Sequence, residues 1–312
     1  MRLDRAKLVK TEGLGACPPL LDPKFVAADA ARCRPDDLII GIEWSGVAKA
    51  YPLSMLWLHG CVNDMVYAKA VLVAYCPFSS AWAVFDPLLA RNRRLTFETY
   101  GVYQGATVIR DQQTGSLWSP LEGRCLTRPL KDRLLRQIAA IQATWAQWLW
   151  LHPDTQVLAD DTPFRDRYRP LGLVKARLGS GYRRFPTDWK PGLPPEMLVL
   201  GVRSQEGPHA YPLRELPSVA NEKLGKQAMV IFSDRQAEHA IAFERETDGQ
   251  DMTFLEKDGE IRDCETGSLW SRDGRCRRGP LSGHPLTLVP CLTVEWYAWS
   301  AYFPQTRLVQ HS

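Results

Sequence analysis

The chain has 312 residues, 45% hydrophobic and 24% charged, with 11 Trp, 10 Tyr and 10 Phe. Those proportions exclude global disorder and supply apolar area for a sizeable core. The net charge is only +4, and the arginines sit in short knots at turn-forming stretches rather than on one face, which argues against nucleic-acid binding.

Residues 1–34 read as an N-terminal arm, extended through Pro18, Pro19 and Pro23 and ending in a short helix over 25–33. From 35 to 161 the pattern is mostly strand. The runs 37–43, 47–53, 70–75 and 81–86 are rich in Val, Ile, Leu, Tyr and Phe and are bounded by turn formers. The run 71–75 has the uniform apolarity of a central strand buried on both faces. Pro52 suits the first position of a short helix over 52–58. Residues 91–94 read as a hairpin connection, Thr114-Gly115-Ser116 as a turn that throws Leu117 and Trp118 inward, and Glu122-Gly123 as the close of a second hairpin. A helix over 143–151 sets Trp145 and Trp148 on one face and stops at Pro153. Residues 162–195 carry six prolines and read as a linker, and 196–312 as a second β-rich unit.

That second unit repeats the first. Ala50-Tyr51-Pro52-Leu53 returns as Ala210-Tyr211-Pro212-Leu213, and Asn63-Asp64 as Asn221-Glu222. Asp111-x-x-Thr114-Gly115-Ser116-Leu117-Trp118 returns as Asp263-x-x-Thr266-Gly267-Ser268-Leu269-Trp270, and Trp145 and Trp148 as Trp296 and Trp299. The order is the same and the offset nearly constant. The period far exceeds the ~20–50 residues of a solenoid repeat, so an internal duplication of a domain-sized unit is expected. The fold class expected is therefore mainly β with short helices (α+β), built from two homologous β-rich copies. The repeated tryptophans are expected in the core, and Asp111 and Asp263 are expected to hydrogen-bond the turns that follow them.

Pro19-Leu20-Leu21-Asp22-Pro23, His59-Gly60-Cys61-Val62-Asn63-Asp64, Tyr75-Cys76-Pro77, the Thr-Gly-Ser-Leu-Trp motif and Thr144-Trp145-x-x-Trp148 together resemble a family of uncharacterised bacterial and archaeal proteins. This is the domain of unknown function numbered 3179, and the resemblance spans nearly the whole chain. It implies the architecture and carries no activity with it. The family pattern reads His-Glu-x-x-Asn-Asp and then Tyr-Cys-Pro-Leu-Cys. Here Gly60 replaces the glutamate and Ser79 the second cysteine, so a two-thiol redox cycle would need Cys61 as a substitute.

Cys76 leaves the end of an apolar strand, and its counterpart in the second copy reads as Ser233. His59 likewise has no imidazole counterpart, so the first copy is expected to hold any reactive site. Three readings stay open. A thiolate at Cys76 could be activated by His59, itself oriented by Asn63 or Asp64. A transition metal (zinc, copper or iron) could be held by His59 and Cys76 with Cys61 or Asp64. Or His59 and Cys76 are a hydrogen-bonded core histidine and a buried thiol. The leading expectation is a small-molecule enzyme with a thiolate- or metal-centred site in the first copy. The alternative is a non-catalytic binding or scaffold protein in which the duplication creates a cleft. A small-molecule ligand is expected in either case, and the oligomeric state is left open.

No run approaches ~18 apolar residues, so no membrane span is expected. The charged residues 1–10 lack the apolar centre of a signal peptide. None of the eight cysteines forms a Cys-x-x-Cys pair, and reduced thiols in the cytoplasm are the expectation. There is no dinucleotide fingerprint and no phosphate loop.

Overall fold

The computed structural model describes residues 3–10, 17–89, 93–170, 184–247 and 249–310. Its six main sheets pack as the blades of a β-propeller. Blade 1 is built on the hairpin Leu38–Trp44 and Val47–Pro52, flanked by Ile141–Thr144, Gln156–Leu158 and Phe25–Ala27. Blade 2 centres on Cys61–Val66, Lys69–Tyr75 and Trp82–Asp86, with Arg136–Ile138 and Leu20–Leu21 at its edges. Blade 3 runs from Phe97–Tyr103 through Ala106–Asp111 and Leu117–Ser119 to Arg124–Cys125, with Val9–Lys10 outside. Blade 4 joins Leu198–Ser204, Gly207–Pro212, Cys291–Glu295 and Arg307–Leu308. Blade 5 holds Val219–Leu224, Gln227–Asp234 and His239–Glu244, and blade 6 runs from Phe254–Lys257 to Cys276–Arg278.

Blade 2 touches blades 1, 3 and 4, and blade 5 touches blades 1, 4 and 6. The expected pair of β-rich units therefore does not separate into two cores. One apolar cluster joins Ile141, Trp145 and Trp148 to Leu200, Phe232 and Trp270. Another joins Tyr103 and Val108 to Val199, Leu292 and Trp299. Burial of this surface across the halves, at roughly 25 cal/mol per Å2, holds the blades to one another.

The motifs that repeat in sequence make the same contacts. Trp148 lies flat on Gly41, where a Cβ would fall 2.3 Å from its ring, and Trp299 lies on Gly201 at the same 2.3 Å. Their indole N–H groups donate to Thr155 and Thr306, each at 2.8 Å. Trp118 donates to Asp111 and Trp270 to Asp263, again at 2.8 Å. Both aspartates also take the backbone N–H of the threonine three residues on, as the turn reading expects. Asn63 clasps the backbone of Phe97 with two bonds, and Asn221 clasps Phe254.

Among the described residues there are three α-helices of seven residues each: α1, Leu53–His59; α2, Trp145–Leu151; α3, Trp296–Tyr302. None is long and apolar enough to cross a membrane. The second half has no equivalent of α1, because Pro217 follows Leu213 by only four residues and denies the helix its hydrogen bonds.

The helix expected over 25–33 is instead the strand Phe25–Ala27 and a single 3-10 turn, Ala28–Ala30. Val26 and Phe25 pair with Val157 and Leu158, so completing a sheet edge outweighs local helix preference. Arg91 and Asn92 of the expected hairpin lie outside the described residues, while Arg93–Arg94 does pair with Leu88–Leu89. Residues 171–183 of the expected linker also lie outside them. Its flank is packed: Phe185 is buried edge-on against Phe78, with ring centres 4.7 Å apart.

Candidate functional site

His59 ends α1 and is buried. Its Nδ1 lies 2.6 Å from the Pro18 carbonyl and its Nε2 2.9 Å from the Tyr168 hydroxyl. A carbonyl only accepts, so Nδ1 carries the proton and Nε2 accepts from the phenol. Tyr168 is held in turn by Thr162 at 2.6 Å. Burial pushes the His59 pKa down; the Pro18 bond opposes this, and the Arg167 guanidinium reinforces it. Both ring nitrogens are thus occupied, and the imidazole fastens the N-terminal arm to the stretch after blade 1.

Cys76 faces elsewhere. Its Sγ accepts the Thr107 N–H at 3.2 Å and lies 4.0 Å from the Gly105 carbonyl. No hydrogen bond or ring contact joins it to His59. Cys61 is buried in blade 2, and burial drives its thiol up to about 12, with Thr99 opposing. Asn63 is committed to the Phe97 backbone, and Asp64 accepts from Lys49 at 2.8 Å and Tyr51 at 2.7 Å. Each of these side chains has its own partners. Among the described residues, no three His, Cys, Asp or Glu side chains are grouped to hold a metal ion.

Strand register corrects one correspondence. Tyr75 pairs with Trp82 as Ser233 pairs with Ala240, so Ser233 matches Tyr75. The residue matching Cys76 is Asp234: Cys76 donates its N–H to the Ala81 carbonyl, and Asp234 pairs with His239. Gln227–Asp234 runs one residue further than Lys69–Tyr75 before leaving the sheet, which hides this offset in the sequence.

The two positions face very different spaces. Beside Cys76 there is a cavity of about 10 Å3, bordered by Ala81, Thr107 and Leu121. Beside Asp234 there is an open cleft of about 490 Å3, between α2 and blades 5 and 6. The side chain after the first helical tryptophan decides this. In α3 it is Tyr297, whose hydroxyl donates to the Phe78 and Gly105 carbonyls at 2.9 and 3.1 Å, and whose ring would lie 2.2 Å from a Cβ at Gly105. In α2 it is Ala146, which leaves the space clear. The signal was present in sequence as Trp145-Ala146 against Trp296-Tyr297.

The cleft walls are mostly apolar, with Ile141, Phe232, Ile261 and Trp270 inside and Trp150, 85% exposed, on the rim. Its arginines and Glu260 are in ion pairs, whereas Asp234 is held by neutral donors. Arg272 bonds Glu256 at 2.8 Å, Arg277 bonds Asp273 at 2.6 Å, and Asp234 accepts from Gln147 at 2.9 Å. A volume of this size suits a small molecule, which typically occupies ~300–1,000 Å3. A second hollow of about 510 Å3 borders Cys33 and Asp160 and runs to Pro170, the last described residue before 184; burial raises the Cys33 thiol to about 12.

Fold and cleft define the class: a six-bladed, mainly β protein with an open, ligand-sized space between blades. The chain belongs to the family described as protein of unknown function (DUF3179), whose profile matches residues 15–306. No curated protein and no solved structure is significantly similar to it.

Proposed function

We propose that the chain is a binding protein for a small, uncharged, ring-containing molecule, held between α2 and blades 5 and 6. The observation that carries this is the apolar cleft, whose Arg272, Arg277 and Glu260 are already in ion pairs and whose Asp234 is taken up by the Gln147 amide and the Ala237 N–H. An anionic ligand would have to break those pairs or enter unpartnered, and a cationic one would have to draw Asp234 away from its neutral donors; both are costly. The exposed Trp150 indole offers a flat face for a ring. We also propose that the halves arose by duplication, with only the second keeping its cleft open. The matched contacts of Trp148 and Trp299, and of Asp111 and Asp263, support that reading. The eight free cysteines suit a reducing compartment such as the cytoplasm.

The test copies α3 into α2. Ala146→Tyr is expected to fill the cleft as Tyr297 fills its counterpart. Binding of the neutral dye N-phenyl-1-naphthylamine should weaken by about tenfold or more, the equivalent of ~1.4 kcal/mol, with circular dichroism unchanged. Unchanged dye binding in a folded Ala146→Tyr protein would sink the proposal. A thiol-centred site at Cys76 is the second reading, favoured by the Thr107 N–H donated to its sulfur. Iodoacetamide labelling of the folded protein, with Cys76→Ser as control, decides it: that reading needs labelling at Cys76 to outpace labelling at the exposed Cys264.

A further inference from the structure

At the seam between the halves, blades 2, 4 and 5 enclose a second cavity of about 10 Å3, bordered by Trp82, Gln137, His239 and Cys291. Three side chains here carry polar atoms that are buried and have no hydrogen-bond partner in the protein: Trp82 Nε1, Gln137 Oε1 and His239 Nε2. Trp82 and His239 are only 6% and 5% exposed. Native proteins leave few such atoms unpaired, because each loses its bonds to water on burial. All three residues border this one small cavity, which calls for a common explanation.

The surrounding bonds hold these atoms in place. Gln137 Nε2 donates to the Cys291 carbonyl at 2.5 Å, which fixes the opposite end of the amide. The Trp82 and His239 rings lie against one another with centres 5.1 Å apart. His239 Nδ1 is 3.3 Å from Thr293 Oγ1. The indole N–H can only donate and the amide oxygen can only accept, while the imidazole nitrogen can do either.

We infer that this cavity is a built site for one water molecule, bonded to Trp82, Gln137 and His239. The volume is close to the ~10–15 Å3 that one water needs, and three polar partners is the usual number. The valences then close without remainder. The water oxygen accepts from Trp82 Nε1–H, one water hydrogen goes to Gln137 Oε1, and the other goes to His239 Nε2. His239 must then carry its proton on Nδ1 and donate it to Thr293 Oγ1. An ammonium ion would point a hydrogen at the Trp82 N–H, so the donor set selects water. Because His239 also borders the open cleft, this water stands directly behind the cleft wall and ties three blades together. The inference does not depend on what the cleft binds.

Two measurements on the full-length wild-type protein test it. A crystal structure at about 1.5 Å should show one water within roughly 2.7–3.2 Å of all three atoms. A 15N spectrum of histidine-labelled protein should show His239 as the neutral Nδ1–H tautomer. A dry cavity, a water bonded to fewer than two of the three atoms, or the Nε2–H tautomer would overturn the assignment.

Discussion

Trp148 rests on bare backbone because no side chain fits beneath it: even one methyl at Gly41 would fall 2.3 Å from the ring. Gly201 is under the same constraint from Trp299. Gly41→Ala and Gly201→Ala should each destabilise the protein by ~1–3 kcal/mol through overpacking. Gly46→Ala tests backbone strain alone, since Gly46 has φ +80° and nothing within 4 Å. Urea midpoints of the three variants check this; Gly41 and Gly201 lie outside the left-handed region that strains Gly46, so a loss at Gly46 alone would remove the overpacking argument. These contacts were legible in the sequence because tryptophan, glycine and aspartate recur at matching positions in both halves. The partners of His59 were not legible. Pro18 lies 41 residues before it and Tyr168 109 after it, and no local pattern announces which distant groups will consume an imidazole's two nitrogens.

Helices α2 and α3 begin alike and are stabilised differently. All seven residues of α3 are buried, and its N-cap Glu295 makes no side-chain capping bond. Only Trp145 and Trp148 of α2 are buried, so more of its stability must come from its end. Thr144 supplies a complete capping box: its hydroxyl takes the Gln147 N–H at 3.3 Å, and its own N–H donates to the Gln147 amide at 2.9 Å. Thr144→Ala should therefore cost ~1 kcal/mol. Because Gln147 also holds Asp234 at 2.9 Å, the same change should loosen the cleft wall and weaken dye binding. Glu295→Ala removes no cap, only contacts such as the bond its carboxylate accepts from Ser80 at 3.0 Å, so it should leave dye binding nearly unchanged, and a loss of dye binding equal to that of Thr144→Ala would remove the capping argument. The sequence placed α2 to within two residues because tryptophan spacing and Pro153 bracket it. It misjudged 25–33, where a distant strand, Gln156–Leu158, decided the conformation.

At the scale of the whole molecule, the seam between the halves should make the protein sensitive to acid. His239 is enclosed by blades 2, 4 and 5, and burial pushes its pKa down to about 3; burial lowers His59 as well. An imidazole in the unfolded chain titrates near 6.5. Below that pH the unfolded state binds protons that the folded state refuses, so stability is full above ~6.5 and falls as pH drops. His239 alone sets a limiting slope of ~1.4 kcal/mol per pH unit that persists down to about 3, or about 2 kcal/mol between pH 7.5 and 5. Asp273 and Asp263 are hydrogen-bonded and held below the usual carboxylate range, so they add to the loss only below about pH 4. Denaturant titrations at pH 7.5, 6 and 5 should show this decline in the wild type and a distinctly flatter one in His239→Phe, whatever the variant's stability at pH 7.5. An unchanged slope would mean that the seam admits a charged imidazole, and that blades 2, 4 and 5 close on it far less tightly than their packing indicates.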